Sequence, residues 1–451
     1  MLSLVSLMPG CAPLKQYRTD YRPHPGSRTE TNAIEETETN LLGFVEFDDH
    51  GWLWDANQMH AVVNRIAEED KKQGLIILVL AHGWKHNASY QDANVASFRA
   101  VLADLQDVEN KSSAQLPRPP RKVVGLYVGW RGLSQTLPVL KEFTFWERKR
   151  TAHAVGQGAV CELMAELDKL RKQSRIRQNE LEQQHTNLAD LRQPTLLILV
   201  GHSFGGAVTY SALAPYLQER LVDTLDQAGH ETLPRGFGDL VVLINPAFEA
   251  ARFQILKRSS DERSYGTNQA ATLAILTSKA DWATKIAFKI GRLVSTAFEK
   301  NRPDQDQFGA NVTAVGHFRP YITHDLNAKK PIPPPAHPES PAPVKMTKAE
   351  EQQRKVVGTR SESAERVRQL RAKVRATKTK PRQKVTLDDS TYEFSSSVLV
   401  PRPATHKPHD PVYVISVDPK IIPSHDEIDK PEFITFLREF ILAFSANPQN
   451  P

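Results

Sequence analysis

The plainest chemical signal in the chain is a serine set between glycines. Gly201-His202-Ser203-Phe204-Gly205 follows the apolar run Leu196–Val200 and leads into a helix-compatible stretch that begins at Ala207. Small residues around a serine let the backbone turn sharply where a strand ends, raising the hydroxyl above the sheet edge. A serine hydroxyl becomes a useful nucleophile only when a histidine takes its proton and a carboxylate holds that histidine. The oxyanion produced by its attack also needs backbone N–H groups aimed at it. Without such partners the same pentapeptide is only a turn, so the partners must be sought elsewhere in the chain.

Leu75–Leu80 is continuously apolar, as a strand buried on both faces should be, and it ends in Ala81-His82-Gly83-Trp84. A His-Gly-x turn presents the amide of its third residue. The backbone N–H groups of Trp84 and Phe204 are therefore the expected oxyanion donors, with His82, Gly83, Gly201, His202 and Gly205 shaping the two turns. The plainer alternative is a tight turn with a packed Trp84. For the acid, the strand Ala271–Thr277 leads into Ser278-Lys279-Ala280-Asp281. Asp281 is the expected carboxylate. Glu249, beyond the strand Leu240–Asn245, is its competitor, and a helix N-cap is the other role open to Asp281. For the base, Val412–Val417 reads as the last strand, and His425 lies between it and a final helix striped with Phe433, Phe436, Leu437, Phe440, Ile441 and Phe444. His425 is the expected base. His317 and His324 precede that strand and read as structural or pocket-lining, and His406 and His409 as solvent-facing.

With His82-Gly83-Trp84, Gly201–Gly205, Asp281 and His425 identified, the chain resembles a serine hydrolase of the α/β-hydrolase superfamily, lipase- or esterase-like. The resemblance runs from about Leu41 to Phe444. Ala81–Ala88 and Gly129-Trp130-Arg131-Gly132 are similar to uncharacterised microbial secreted or lipoprotein-like hydrolases. The family's order of nucleophile, acid and histidine is the order found here. The resemblance implies an α/β fold whose mostly parallel sheet has helices on both faces. It also implies cleavage of carboxylic esters through a Ser-His-Asp triad and an acyl-enzyme, without cofactor or metal. The substrate would be a small-molecule or lipid ester. An acyltransferase or amidase would use the same machinery, and a noncatalytic binding or scaffold protein on this fold is the alternative of a different class.

The domain organisation follows from composition. Residues 1–40 read as an N-terminal tail, 41–327 as the first part of the hydrolase domain, 328–391 as an insertion, and 392–447 as the part that completes the domain. The insertion opens Lys330-Pro-Ile-Pro-Pro-Pro and carries seven Lys or Arg between Arg371 and Lys384. With no periodic apolar pattern it is expected to be disordered, with a fragile helix across Thr347–Ala376. Much of the net charge of +6 sits in this segment. A solvated spacer and a membrane-surface contact are both open to it. Nucleic-acid binding is not expected, because the run lacks stacking aromatics.

The N-terminus, Met1 to Pro9-Gly10-Cys11, resembles the rear half of a bacterial lipoprotein signal with Cys11 as the lipidated residue. It lacks a basic start and places Pro9 unusually. Cell envelope or secretion is thus set against the cytoplasm. Cys161 is the other cysteine of the two, which leaves no disulfide framework to decide the compartment.

Further elements are legible. Gly43–Phe47 and Trp52–Trp54 read as a hairpin, and a helix opening near Phe143 is expected to run beyond Leu170. Lys172–Arg192 reads as an exposed helical excursion. Trp130 and Arg131 read as pocket residues or as a packed Trp with a surface Arg. Ile286, Ile290, Leu293 and Ala297 line one face of a basic amphipathic helix, open to a lid or to packing on the sheet.

Overall fold

Leu75–Ala81 carries no polar side chain and must be covered on both faces; every residue of it is buried. It becomes an inner strand of one sheet in the computed structural model. That structure describes residues 13–24, 26, 29–37, 40–114, 118–133, 145–184, 192–222, 236–265, 269, 271–296, 299–302, 306–329, 348–379 and 390–445. In chain order the strands are β1 (Ile34–Glu36), β2 (Leu41–Glu46), β3 (Leu75–Ala81), β4 (Lys122–Gly129), β5 (Leu196–His202), β6 (Leu240–Ile244), β7 (Leu273–Ser278), β8 (His324–Ala328), β9 (Tyr392–Glu393), β10 (Ser397–Pro401) and β11 (Val412–Val417). The helices are α1 (Ala56–Lys72), α2 (Ala93–Ser113), α3 (Phe145–Gln157), α4 (Val160–Gln184), α5 (Phe204–Val222), α6 (Ala250–Asp261), α7 (Phe288–Ser295), α8 (Gln307–Val312), α9 (Lys348–Thr379) and α10 (Pro431–Phe444).

The protein is α/β. Its sheet runs in the order β1-β2-β4-β3-β5-β6-β7-β11-β8-β10-β9. From β2 to β8 every neighbour is parallel, and the edges are antiparallel. Side chains alternate across a strand, so the inner strands feed two cores. Ile77, Val79, Leu197 and Leu199 join one core with residues of α1, α3, α4, α5 and α6. Ile76, Leu78, Ile198 and Val200 join the other with residues of α2, α9 and α10. The chain leaves β3 through α2 toward β4 on one side, and leaves β5 through α5 toward β6 on the other. The carboxyl ends of β3 and β5 therefore meet where strand order reverses, the place in an open sheet where ligands gather.

Several expectations change. The tail 1–40 is partly structured: β1 pairs with β2, and the fully buried Arg18 donates to Ala88 O at 2.7 Å and to Glu35 at 3.0 Å. A buried guanidinium is tolerable because each partner offsets its lost hydration. The hairpin over 43–54 reduces to a single bridge between Phe47 and Leu53, because β2 pairs with β4 instead. The long helix from 143 is two helices, α3 and α4, broken where Gly158 passes so close to Gly51 that a Cβ would lie 2.3 Å from its carbonyl oxygen. Phe143 itself is outside the described residues, as are Cys11, Ala297 and the stretches 330–347 and 380–389.

The largest correction concerns the insertion. The fragile helix expected across Thr347–Ala376 is present as α9, Lys348–Thr379, but it is docked: its Ala364, Val367 and Leu370 are buried in the core with α2 and α10. Arg371, counted among its solvated charges, donates from Nε to Leu442 O at 2.9 Å. Its guanidinium also lies 3.5 Å from the buried Glu109. His406 is likewise not solvent-facing: it meets the buried His324 edge-on, with ring centroids 4.9 Å apart. No helix among the described residues is long and apolar enough to cross a membrane.

A docked α9 makes Leu370→Ala costly. The expected loss is about 2–5 kcal/mol, from lost burial plus a residual cavity. Urea unfolding measures it; a helix lying loosely on the surface would show almost no change.

Candidate active site

Ser203 follows the last residue of β5 and precedes the first of α5, with φ 55°. A non-glycine residue at this left-handed angle is uncommon and marks a position that its surroundings must hold. The glycines explain how. A Cβ on Gly205 would lie 1.9 Å from Ala81 O, and one on Gly201 would lie 2.6 Å from Gly205 O. Only bare backbone lets the turn after β5 press against the end of β3. Ser203 N donates to Ile244 O at 2.9 Å, and Ser203 O accepts from Gly206 N and Ala247 N, so the turn is tied to the ends of β6 and α5.

The turn after β3 sits against it. A Cβ on Gly83 would be 3.0 Å from the Ser203 Cβ. His82, fully buried, donates from Nδ1 to Gly83 O at 2.9 Å and accepts from Trp130 N at 3.1 Å through Nε2. Its ring is stacked between Tyr127 and Trp130. Burial holds its pKa down at about 4, so it stays neutral. Trp130 is therefore a packed support rather than a pocket residue, and Arg131 pairs with Asp49. The Gly129–Gly132 motif clamps the same turn: Lys85 N donates to Gly132 O at 3.2 Å, and Gly132 N to His86 O at 3.0 Å. Phe204 N, at the start of α5, has no intrahelical acceptor. Trp84 lies on the facing turn, its ring edge-on to Phe145.

Asp281 and His425 reach the serine from two other strand ends. His425 Nε2 is 2.7 Å from Ser203 Oγ, and His425 Nδ1 is 3.0 Å from Asp281 Oδ1. The Asp281 side chain is fully buried. It also caps the helical turn beginning at Ala283, accepting from Thr284 N at 3.0 Å and from the Thr284 hydroxyl, so cap and ion pair coexist. Burial resists charging His425, but the Asp281 carboxylate outweighs it and raises the ring above its usual 6.5. For Asp281 burial pushes the carboxyl up, and the contacts with His425 and Thr284 carry it below its usual value. Glu249 is elsewhere, paired with Lys149, Arg252 and Arg292.

Some supports escape the sequence reading. The carbonyl of His425 accepts from His202 Nε2 and from Asn245 Nδ2, both at 3.0 Å. Asn245, φ 45°, also accepts from Ser278 N at 2.9 Å, and Ser278 Oγ donates to Ile422 O at 2.6 Å. The ends of β5, β6 and β7 thus hold the loop that carries His425. The available signal was an asparagine directly before Pro246 at a strand end. His317 Nε2 lies 3.0 Å from Thr284 Oγ1, next to Asp281 rather than the serine, and His324 is stacked on Tyr413. His202, His425 and Asp426 bring three potential metal-ligating atoms within 4.8 Å of one another, but both nitrogens of His425 already face Ser203 and Asp281.

The helix after Asp281 begins as a wide turn, Ala283–Ala287, and continues as α7. Trp282, Ile286, Ile290 and Leu293 are all exposed along it.

The His425 ring is expected to titrate above 6.5 by NMR. In Asp281→Asn the largest raising influence is gone, leaving only the weaker pull of Asp426 against burial, so the titration should fall below that value. An unchanged midpoint would mean the pair is not coupled. In comparisons with protein-family models, curated proteins and solved structures, the chain gives no match.

Proposed function

We propose that the protein is a serine hydrolase of the α/β-hydrolase type that cleaves carboxylic esters. The observation that carries this reading is the continuous chain Ser203 Oγ, His425 Nε2, His425 Nδ1 and Asp281 Oδ1, with steps of 2.7 and 3.0 Å. It is assembled from the ends of β5, β7 and β11 on a serine held at positive φ. Buried supports that serve only to aim one histidine at one hydroxyl favour catalysis over a scaffold.

In this mechanism His425 Nε2 takes the Ser203 proton as Oγ bonds to the ester carbonyl carbon. The carbonyl π pair moves onto oxygen, where the Trp84 and Phe204 amides stabilise it. Collapse of the tetrahedral adduct breaks the bond to the alcohol oxygen, which leaves with the proton held by His425. Water, deprotonated by the same ring, then attacks the acyl-serine, releasing the carboxylic acid and restoring Ser203. Asp281 stays ionised throughout and stabilises the imidazolium.

Ser203→Ala is expected to abolish both p-nitrophenyl ester hydrolysis and labelling by a fluorophosphonate, with the fold retained by circular dichroism. Retained labelling would overturn the assignment. Only the neutral ring accepts the serine proton, so kcat/KM should rise with pH through an apparent pKa above 6.5. Asp281→Asn should lower kcat by about 10⁴-fold.

A further inference from the structure

Between α2 and α10, on the sheet face away from α5, lies a cavity of about 680 Å³ that the reaction as written does not use. Its floor is Leu78 and Leu80 of β3, Val200 of β5 and Ile244 of β6. These side chains end just below the turns that carry Gly83, Ser203 and Asn245. One wall is α10, through Ile434, Leu437 and Ile441. The other is α2, where Ala93, Ser97 and Ala100 leave the space that larger residues would fill. At the end nearest the catalytic loops the lining includes Trp84, Lys85 and His86 after β3, and Asp426 and Asp429 just beyond His425. The far end closes on charges, where Asp104 pairs with Arg360 and Arg438.

We propose that this cavity receives the alkyl chain of the ester cleaved at Ser203, making the substrate a medium- or long-chain ester. The inference rests on the hydrolase reading above and deepens it. The chemistry of the lining selects the occupant. Apart from Asn94 and Ser97, the polar lining residues gather at the two ends. A peptide entering the slot would bury backbone N–H and C=O groups without partners, at a heavy cost. A hydrocarbon chain carries no such groups. Trp84, on the turn proposed to hold the oxyanion, and Asp426, next to the base, both line this end of the cavity, so a chain attached to a carbonyl at Ser203 is placed to enter there. From Ala93 to Asp104 the helix rises roughly 16 Å, the reach of a dodecanoyl-class chain, and the ion pairs beyond would stop a longer one. The volume lies within the range of ordinary ligand sites.

The full-length protein is assayed with p-nitrophenyl alkanoates from acetate to palmitate and, in parallel, with alkyl acetates. These two arms separate a chain on the acyl side from one on the alcohol side. The wild type is expected to gain roughly fourfold in kcat/KM per added methylene over part of one series, and then to level off. Ala100→Trp and, independently, Ser97→Phe fill the cavity from the exposed side of α2. Each should lower the dodecanoate-to-acetate ratio, or the corresponding alcohol-side ratio, by roughly tenfold or more. A second arm does not need catalysis: Ser203→Ala should bind sodium dodecanoate by calorimetry, and Ser203→Ala with Ala100→Trp should not. If the wild type hydrolyses none of these esters while Ser203→Ala binds dodecanoate and the added Ala100→Trp removes that binding, the hydrolase reading fails and the cavity stands as an alkyl site. Flat chain-length profiles together with absent or Trp-insensitive binding would overturn the cavity proposal, whatever the esterase activity.

Discussion

The arrangement depends on one close approach, that of the turn after β5 to the end of β3. Gly205 lies where any side chain would strike Ala81 O, and this contact sets the left-handed conformation of Ser203 between two turns. Every other part of the site is placed relative to it. The Gly83–Trp84 turn faces the serine because β3 and β5 are parallel neighbours in register. Both strands end at the point where the sheet's connectivity reverses. A sheet built in another order would leave the same pentapeptide without a facing turn.

Around this approach the protein uses neutral, buried polar groups as struts. His82 is neutral and fully bonded through its ring, fixing one turn between two aromatic faces. His202 and Asn245 hold one carbonyl, that of His425. A donor to a backbone carbonyl positions a loop without adding charge, so the raised pKa of His425 answers to Asp281 alone among the groups that touch its ring nitrogens. Burial lowers the pKa of His317 to about 4, which keeps a second positive charge away from the Asp281 carboxylate. The charge in the site is thereby concentrated on one pair.

The α9 segment shows how a polar composition can hide a docked element. Its sequence is rich in Lys, Arg and Glu, and among its described side chains the apolar stripe consists of Ala364, Val367 and Leu370 with the partly buried Val374. Such a stripe is too narrow to read against a background of Lys, Arg and Glu. Complementary charge on other elements adds to this burial: Glu109 and Asp104 of α2 meet Arg371 and Arg360. By covering the groove between α2 and α10, α9 also helps to enclose the apolar cavity.

Local sequence settled much of this. Strand runs such as Leu75–Leu80, the glycine-flanked serine and the Asp281 and His425 loops are short-range patterns, set by backbone sterics and by the period of apolar residues, so they can be read without knowing their neighbours. The parallel α/β character follows from their alternation with helices. Tertiary structure alone decided which of the histidines meets the serine at 2.7 Å and which carboxylate stands behind it. It also placed Arg18 and β1 inside the domain, docked α9, and decided between the two roles open to Trp130, packing it as a support for His82. These outcomes rest on contacts between residues far apart in the chain, such as Arg18 with Ala88 or Asn245 with His425. Whether a buried charge or a lone asparagine finds its partner depends on where remote strands end, and no local pattern carries that information.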